Sequence, residues 1–194
     1  LCNASPVNPQ PSIKMKYLLI VCFSLFSLSI LPGQDFSSGS PLPVNEEGII
    51  MYRAVMDEPG ASDSLYLRAI NWLNTEFANP WDVSRTRNRE DGVLSGIARL
   101  SLYTSDEAGN TQSGGLVEYT FTIECRDDRY RYTFTDFLHK RSSRFPLERW
   151  LDKSDPQWAP VVDTYLDQVH QEMSLKIESL KAGMKPAPKV VDEW

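Results

Sequence analysis

The sequence is poor in the residues that usually announce chemistry. Its 194 residues include three cysteines and two histidines. Protein zinc sites take clustered Cys and His at fixed spacings, and no HExxH, paired-Cys or His-rich pattern is present. There is no GxSxG elbow and no Gly-rich phosphate loop. No metal and no cofactor is therefore implied. His139 reads as the end of a strand, and His170 as a solvated residue off the apolar stripe of a helix. Acids are common, yet Asp163, Asp167 and Glu172 read as the wet face of that helix, and no carboxylate pair is marked out for acid–base work.

Positive charge is also in deficit. Twenty Lys and Arg face 26 Asp and Glu, a net charge of −6. Affinity for nucleic acid comes largely from cations that neutralise phosphates, so nucleic acid is not an expected partner. A third shortage is of long apolar runs. A membrane-spanning helix wants about 18 or more apolar residues. The run from Tyr17 to Leu31 is shorter and is interrupted by serines.

That run has another reading. Lys14, Met15 and Lys16 precede it, and Pro32-Gly33 breaks it, which is the layout of a secretory signal. The expectation is a signal peptide over residues 15–33, cut near Gly33/Gln34, and a periplasmic or secreted product with no membrane span. Residues 1–14 then read as a leader before the true start at Met15. Cleavage would remove Cys2, Cys22, Lys14 and Lys16 but no acid, so the net charge moves to −8. Cys125 would remain alone, and one cysteine makes no internal disulfide.

Residues 34–45 are rich in Ser, Pro and Gly and read as a linker. Residues 46–184 read as one domain, and 185–194 as a loose tail. Gly48–Met56 suits a strand. Pro59-Gly60 turns the chain, and Ser62 or Ser64 can cap a helix whose apolar stripe is Tyr66, Ile70, Leu73 and Phe77. Asn79-Pro80 stops it. Asp82–Arg89 is a weak polar strand, Val93–Thr104 a better one, and 105–115 a flexible loop. Leu116–Arg126 and Arg129–Leu138 complete four strands. A closing helix over about 156–184, with Ser154 or Asp155 as its cap, carries the stripe Trp158, Val162, Tyr165, Val169, Met173, Ile177, Leu180 and Met184.

The stretch ECRDDRYRYTFTDF, residues 124–137, alternates basic and aromatic side chains. Such a pattern can be a base-stacking platform or a half-buried hairpin. With Asp127-Asp128 as a two-residue loop, Cys125 faces Tyr130, Ile123 faces Tyr132 and Phe121 faces Phe134. The other face pairs Glu124 with Arg131, Thr122 with Thr133 and Thr120 with Thr135. All apolar pairs share one face, and a one-residue slip would destroy this. The hairpin reading wins, and Cys125 becomes a buried small hydrophobe.

Arg85, Arg87 and Arg89 alternate along their strand. If Glu90-Asp91-Gly92 is a three-residue loop, Arg89 faces Val93, Arg87 faces Ser95 and Arg85 faces Ile97. This register puts them beside Arg99, on the face that also holds Arg129 and Arg131. The expected candidate site is thus a band of Arg85, Arg87, Arg89, Arg99, Arg129 and Arg131, able to hold a carboxylate or phosphate.

Three stretches carry a family resemblance: GASDSLYLRAINWL (60–73), NREDGVLSG (88–96) and VEYTFTIECRDDRYRYTFTDF (117–137). Together they resemble the Bacteroidota family called a domain of unknown function with a TBP-like fold, over roughly residues 46–140. One departure is Asp128, where the pattern has Gly. The resemblance implies an α+β fold in the order β-α-β-β-β-β-α, with a curved antiparallel sheet backed by helices, in a secreted or periplasmic protein. It brings no activity, and the fold's name implies nothing about DNA. Two function classes follow. One is a non-catalytic envelope protein that binds a protein partner or an anionic glycan or lipid through the open sheet face. The other is an envelope hydrolase whose carboxylates meet only in three dimensions.

Overall fold

The structure, a computed structural model, describes residues 42–140 and 144–187. The expected leader, signal peptide, most of the linker and the end of the tail lie outside the described residues. The element order is β1 (Tyr52–Asp57), α1 (Ser62–Glu76), α2 (Pro80–Val83), β2 (Ser84–Asn88), β3 (Val93–Ser105), β4 (Thr111–Arg126), β5 (Arg129–Lys140), β6 (Arg144–Pro146), a short 3-10 helix (Leu147–Leu151) and α3 (Val161–Gly183). The sheet runs β1-β5-β4-β3-β2, with β6 also on β5, and every pairing is antiparallel. This is the expected α+β architecture, enlarged by α2 and β6.

Alternation along the strands decides the layers. Leu94, Ala98, Leu100 and Leu102 of β3 point to one face with Phe121, Ile123 and Cys125 of β4, and all are buried. Phe134 and Tyr132 of β5 join them. Both long helices cover this inner face. α1 contributes Leu65, Tyr66, Ala69, Trp72 and Leu73, and α3 contributes Val162, Tyr165, Leu166, Val169, Met173, Ile177 and Leu180. A polar clasp joins the helices: Lys176 Nζ and Ser179 Oγ each donate to Glu76 at 2.6 Å, and Trp72 Nε1 donates to Ser179 Oγ at 3.2 Å.

The β4–β5 hairpin has the register that the apolar pairs require. Cys125 faces Tyr130, Ile123 faces Tyr132, Phe121 faces Phe134, and Glu124 faces Arg131. The turn explains its departure from glycine. Asp128 sits at φ 59, a region Asp tolerates better than most residues. Its carboxylate also accepts from Gly60 N at 3.0 Å, while its own N–H donates to Gly60 O at 2.8 Å. A glycine would supply the conformation but not the carboxylate.

Other local readings change for identifiable reasons. Neither Ser62 nor Ser64 caps α1. Asp127, across the hairpin turn, accepts from Ser62 N at 2.8 Å, and Ser62 Oγ donates to Cys125 O at 2.9 Å. The closing helix starts at Val161, not near 156. Asp152 and Asp155 accept from the N–H groups of Ser154 and Gln157 two residues on, local bonds that compete with a helix. Pro160 follows, and its ring disfavours helical backbone at the residue before it. The 105–115 loop is a tight turn, because the Asp106 carboxylate accepts from Ala108 N, Asn110 N and two side-chain amides. Ordered structure also reaches back into the expected linker: Leu42 is buried and Val44 bridges Ile50. His170 is not a solvated residue, since Tyr52 Oη lies 3.0 Å from its Nδ1 and the rings stack at 6.0 Å.

Cys125 is a free, buried cysteine whose thiol is pushed up to about 12 by burial. The thiolate is the reactive form. Labelling of the folded protein should run at least about 100-fold slower than labelling in denaturant. Equal rates would contradict both the burial and the hairpin register.

Candidate functional site on the uncovered sheet face

Among the described residues, no helix packs on the outer face of the sheet. Its side chains follow from register. Arg53, Val55 and Asp57 of β1 lie beside Thr133, Arg131 and Arg129 of β5. These lie beside Thr122, Glu124 and Arg126 of β4. Ser95, Ile97 and Arg99 of β3 then follow Thr122, Thr120 and Glu118.

The six-arginine band does not form on this face. Asn88, not Arg89, faces Val93, and Arg87 faces Leu94, so the β2–β3 loop has four residues, Arg89 to Gly92. The Asn88 side chain enforces this: its Oδ1 accepts from Asp91 N at 3.1 Å and its Nδ2 donates to Asp91 Oδ2 at 2.6 Å. The slip moves Arg87 to the inner face, where its guanidinium lies 3.7 Å from the Trp81 ring centre and donates to Ser84 Oγ and Pro80 O. Arg89 leaves the strand and grips Asp63 of α1, with one bond at 2.7 Å. Arg85 is the extra residue of a β-bulge and folds back on the carbonyls of Asp82 and Ser84. Thr86 and Asn88 face outward in their place. Arg99, Arg129 and Arg131 do share the outer face.

Cations that the sequence reading passed over join them. At one end of the face sits Glu118, only 5% exposed. Lys140 donates to it at 2.6 Å, Arg144 at 2.8 Å and Arg99 at 3.1 Å. Three cations converge on one carboxylate, which leaves the cluster positive. The bond from Lys140, helped by Arg99 and Arg144, lowers the Glu118 pKa from 4.5 to about 2 against the opposing effect of desolvation. At the other end Arg126 faces Arg129 across the hairpin. Neither makes an ion pair among the described residues. With Val55, Glu124, Tyr130 and Arg131 they line a cleft of about 250 Å³. Arg131 is neutralised by a two-point bond to Glu124, both contacts at 2.6 Å. The face therefore holds Arg53, Arg99, Arg126, Arg129, Arg131, Lys140 and Arg144 against Asp57, Glu118 and Glu124, in a chain of net charge −6.

Three carboxylates come together next to the Arg126 and Arg129 end, in a cleft that shares Glu124 and Arg126 with the one there. Asp91, Glu124 and Asp127 line this cleft of about 620 Å³ with Ser62 and Cys125. Each already holds the fold: Asp91 bonds Asn88, Glu124 bonds Arg131, and Asp127 caps α1.

Glu118 makes a pH prediction. A lowered pKa means that the carboxylate contributes stability above about 4.5, and that this is lost as pH falls toward about 2. Replacing Glu118 with Gln should cost about 1–3 kcal/mol at neutral pH, since a charged buried acceptor is removed from three donors. Denaturant unfolding should show the gap between the two proteins closing as the pH approaches about 2. A gap that stays constant would mean that the carboxylate's charge is irrelevant.

Comparison with known proteins agrees with this architecture. Residues 52–140 match the domain of unknown function with TBP-like fold, DUF4468. A crystal structure of a DUF4468 family protein from Bacteroides ovatus is similar, with a TM-score of 0.60 at 14% identity, over 76% of this chain and 92% of that one. A TBP-like protein from Parabacteroides distasonis gives 0.63 at 12% identity, over 77% of this chain and all of that one. No curated protein matches the sequence. At these identities the structural likeness speaks for the fold alone. The antiparallel sheet with both long helices on one face, together with the matched segment, leads to one assignment: residues 52–140 of this chain form a DUF4468 domain with a TBP-like fold.

Proposed function

We propose that this is an exported, non-catalytic module that binds an anionic ligand or partner through the uncovered face of its sheet. The supporting observation is the charge imbalance of that face. Seven cationic side chains meet three carboxylates there, and Arg126 and Arg129 stand directly opposite each other; Asp57 lies beside Arg129 and Glu124 lines the same cleft, yet neither arginine makes an ion pair among the described residues. Like charges directly opposite on a sheet are destabilising, and a bound anion would relieve them. Export is supported by the signal-like pattern of residues 15–33. Among the described residues no helix is long and apolar enough to cross a membrane.

Calorimetric titration tests the reading. The protein is titrated with phosphatidylglycerol vesicles, polyglutamate and polygalacturonate, at low and at physiological ionic strength. At least one should bind, and binding should weaken with salt. The double variant Arg126→Glu/Arg129→Glu should bind at least about tenfold more weakly with an unchanged unfolding transition. No binding by any of the three, or equal binding by the variant, overturns the reading.

A further inference from the structure

The outer face has two cationic ends and a different middle. Glu118 with Arg99, Lys140 and Arg144 marks one end, and Arg126 with Arg129 marks the other. Both Glu118 and Arg126 lie on β4. Eight residues of strand at about 3.3 Å each separate them by about 26 Å. Between them run Thr120 and Thr122 of β4, beside Thr135 and Thr133 of β5, and then, next to Arg126, the ion-paired Glu124 and Arg131. None of these four hydroxyls makes a hydrogen bond among the described residues, although all four side chains are half-buried between their neighbours. Among these four threonines no cation stands on β4 or β5, while Arg53 of β1 flanks Thr133.

We infer that the ligand is a linear, hydroxylated polyanion, an acidic polysaccharide strand, laid along β4 and β5 and held at both ends. The inference rests on the anion-binding reading and adds the shape and chemistry of the ligand. Charge complementarity places acidic groups at the two ends. The unengaged threonine hydroxyls between them match a chain that carries its own hydroxyls. An acidic peptide would want apolar pockets for alternate side chains, and the strip offers methyl and hydroxyl groups only.

The test uses oligogalacturonates of increasing length, with uncharged dextran and polyglutamate of matched length and phosphatidylglycerol vesicles as comparisons. Affinity should rise until the oligomer spans about 26 Å and then level off. Arg126→Glu/Arg129→Glu and Arg99→Gln/Arg144→Gln should each weaken the long oligomer at least about tenfold. Arg99→Lys/Arg144→Lys should retain binding, which separates lost charge from a disturbed fold. Thr122→Val/Thr133→Val should weaken the long oligomer at least about threefold and leave polyglutamate unaffected. Length-independent affinity, or sensitivity to one end only, overturns the two-ended strand while leaving simple anion binding intact. Tighter binding of vesicles or polyglutamate than of the long oligomer assigns the face to a membrane or a peptide and also overturns the inference. Failure of every anion removes the underlying reading as well.

Discussion

Phe121→Ala is expected to lower the unfolding free energy by about 3–5 kcal/mol, the range for removing a fully buried aromatic ring. Phe121 sits mid-strand on β4 and is fully buried. Its ring stacks on Phe77 at 5.9 Å with an interplanar angle of 13°, and meets the Trp72 edge at 6.2 Å. It also lies over Gly96 of β3, where an added Cβ would approach the ring to 2.6 Å. A glycine has no side chain with which to fill the vacated space. Collapse of the cavity is therefore poor, and the loss belongs at the upper end of the range. Chemical denaturation should report it as a shifted midpoint at constant slope. A loss below about 1.5 kcal/mol would mean that the inner face is not packed around this ring.

Gly92→Val should be nearly as damaging, for a different reason. Gly92 closes the four-residue β2–β3 loop at φ +67, where a side chain costs about 1–2 kcal/mol. An added Cβ would also stand 2.5 Å from Cys125 O and 2.9 Å from Ser62 Oγ. The carbonyl of Cys125 cannot retreat cheaply, because it accepts from Ser62 Oγ and lies in the β4–β5 hairpin. The total should be about 3 kcal/mol or more. Gly48 is the control: it has φ +80 and nothing within 4 Å of an added Cβ, so Gly48→Ala should cost only about 1–2 kcal/mol. Equal losses at the two sites in thermal or denaturant unfolding would show that the close approach at Gly92 is not a constraint.

These two positions also show what could be read from the chain. The β4–β5 hairpin was legible because its apolar residues alternate on both sides of a two-residue turn, and only one register satisfies both strands. The β2–β3 hairpin was not. Arg85, Arg87 and Arg89 alternate without an apolar partner set, so nothing in the pattern penalises a slip. The length of the loop was settled by one side chain, Asn88, and the bulge at Arg85 flipped the rest. Half of the expected arginine band went with it. The cations that replace the lost ones were partly visible. Arg126 and Arg129 flank the two-residue turn and must oppose each other. Lys140 and Arg144 were hidden, because their meeting with Glu118 depends on the bulge near Asp136 and on the return of β6 to β5. The helix starts were misread where aspartates serve distant or local N–H groups: Asp127 caps α1 across the turn, and Asp155 holds a turn ahead of α3.

The central claim is that the uncovered sheet face is the binding face. The most direct measurement is amide shift mapping by NMR during titration with polygalacturonate. The account predicts shifts along β4 and β5, from Arg126 and Arg129 through Thr122 and Thr133 to Glu118 and Lys140, and at Arg99 of β3, with the exposed residues of α3 silent. Shifts confined to α1 and α3, or to Trp81 and the inner-face Arg87, would contradict it.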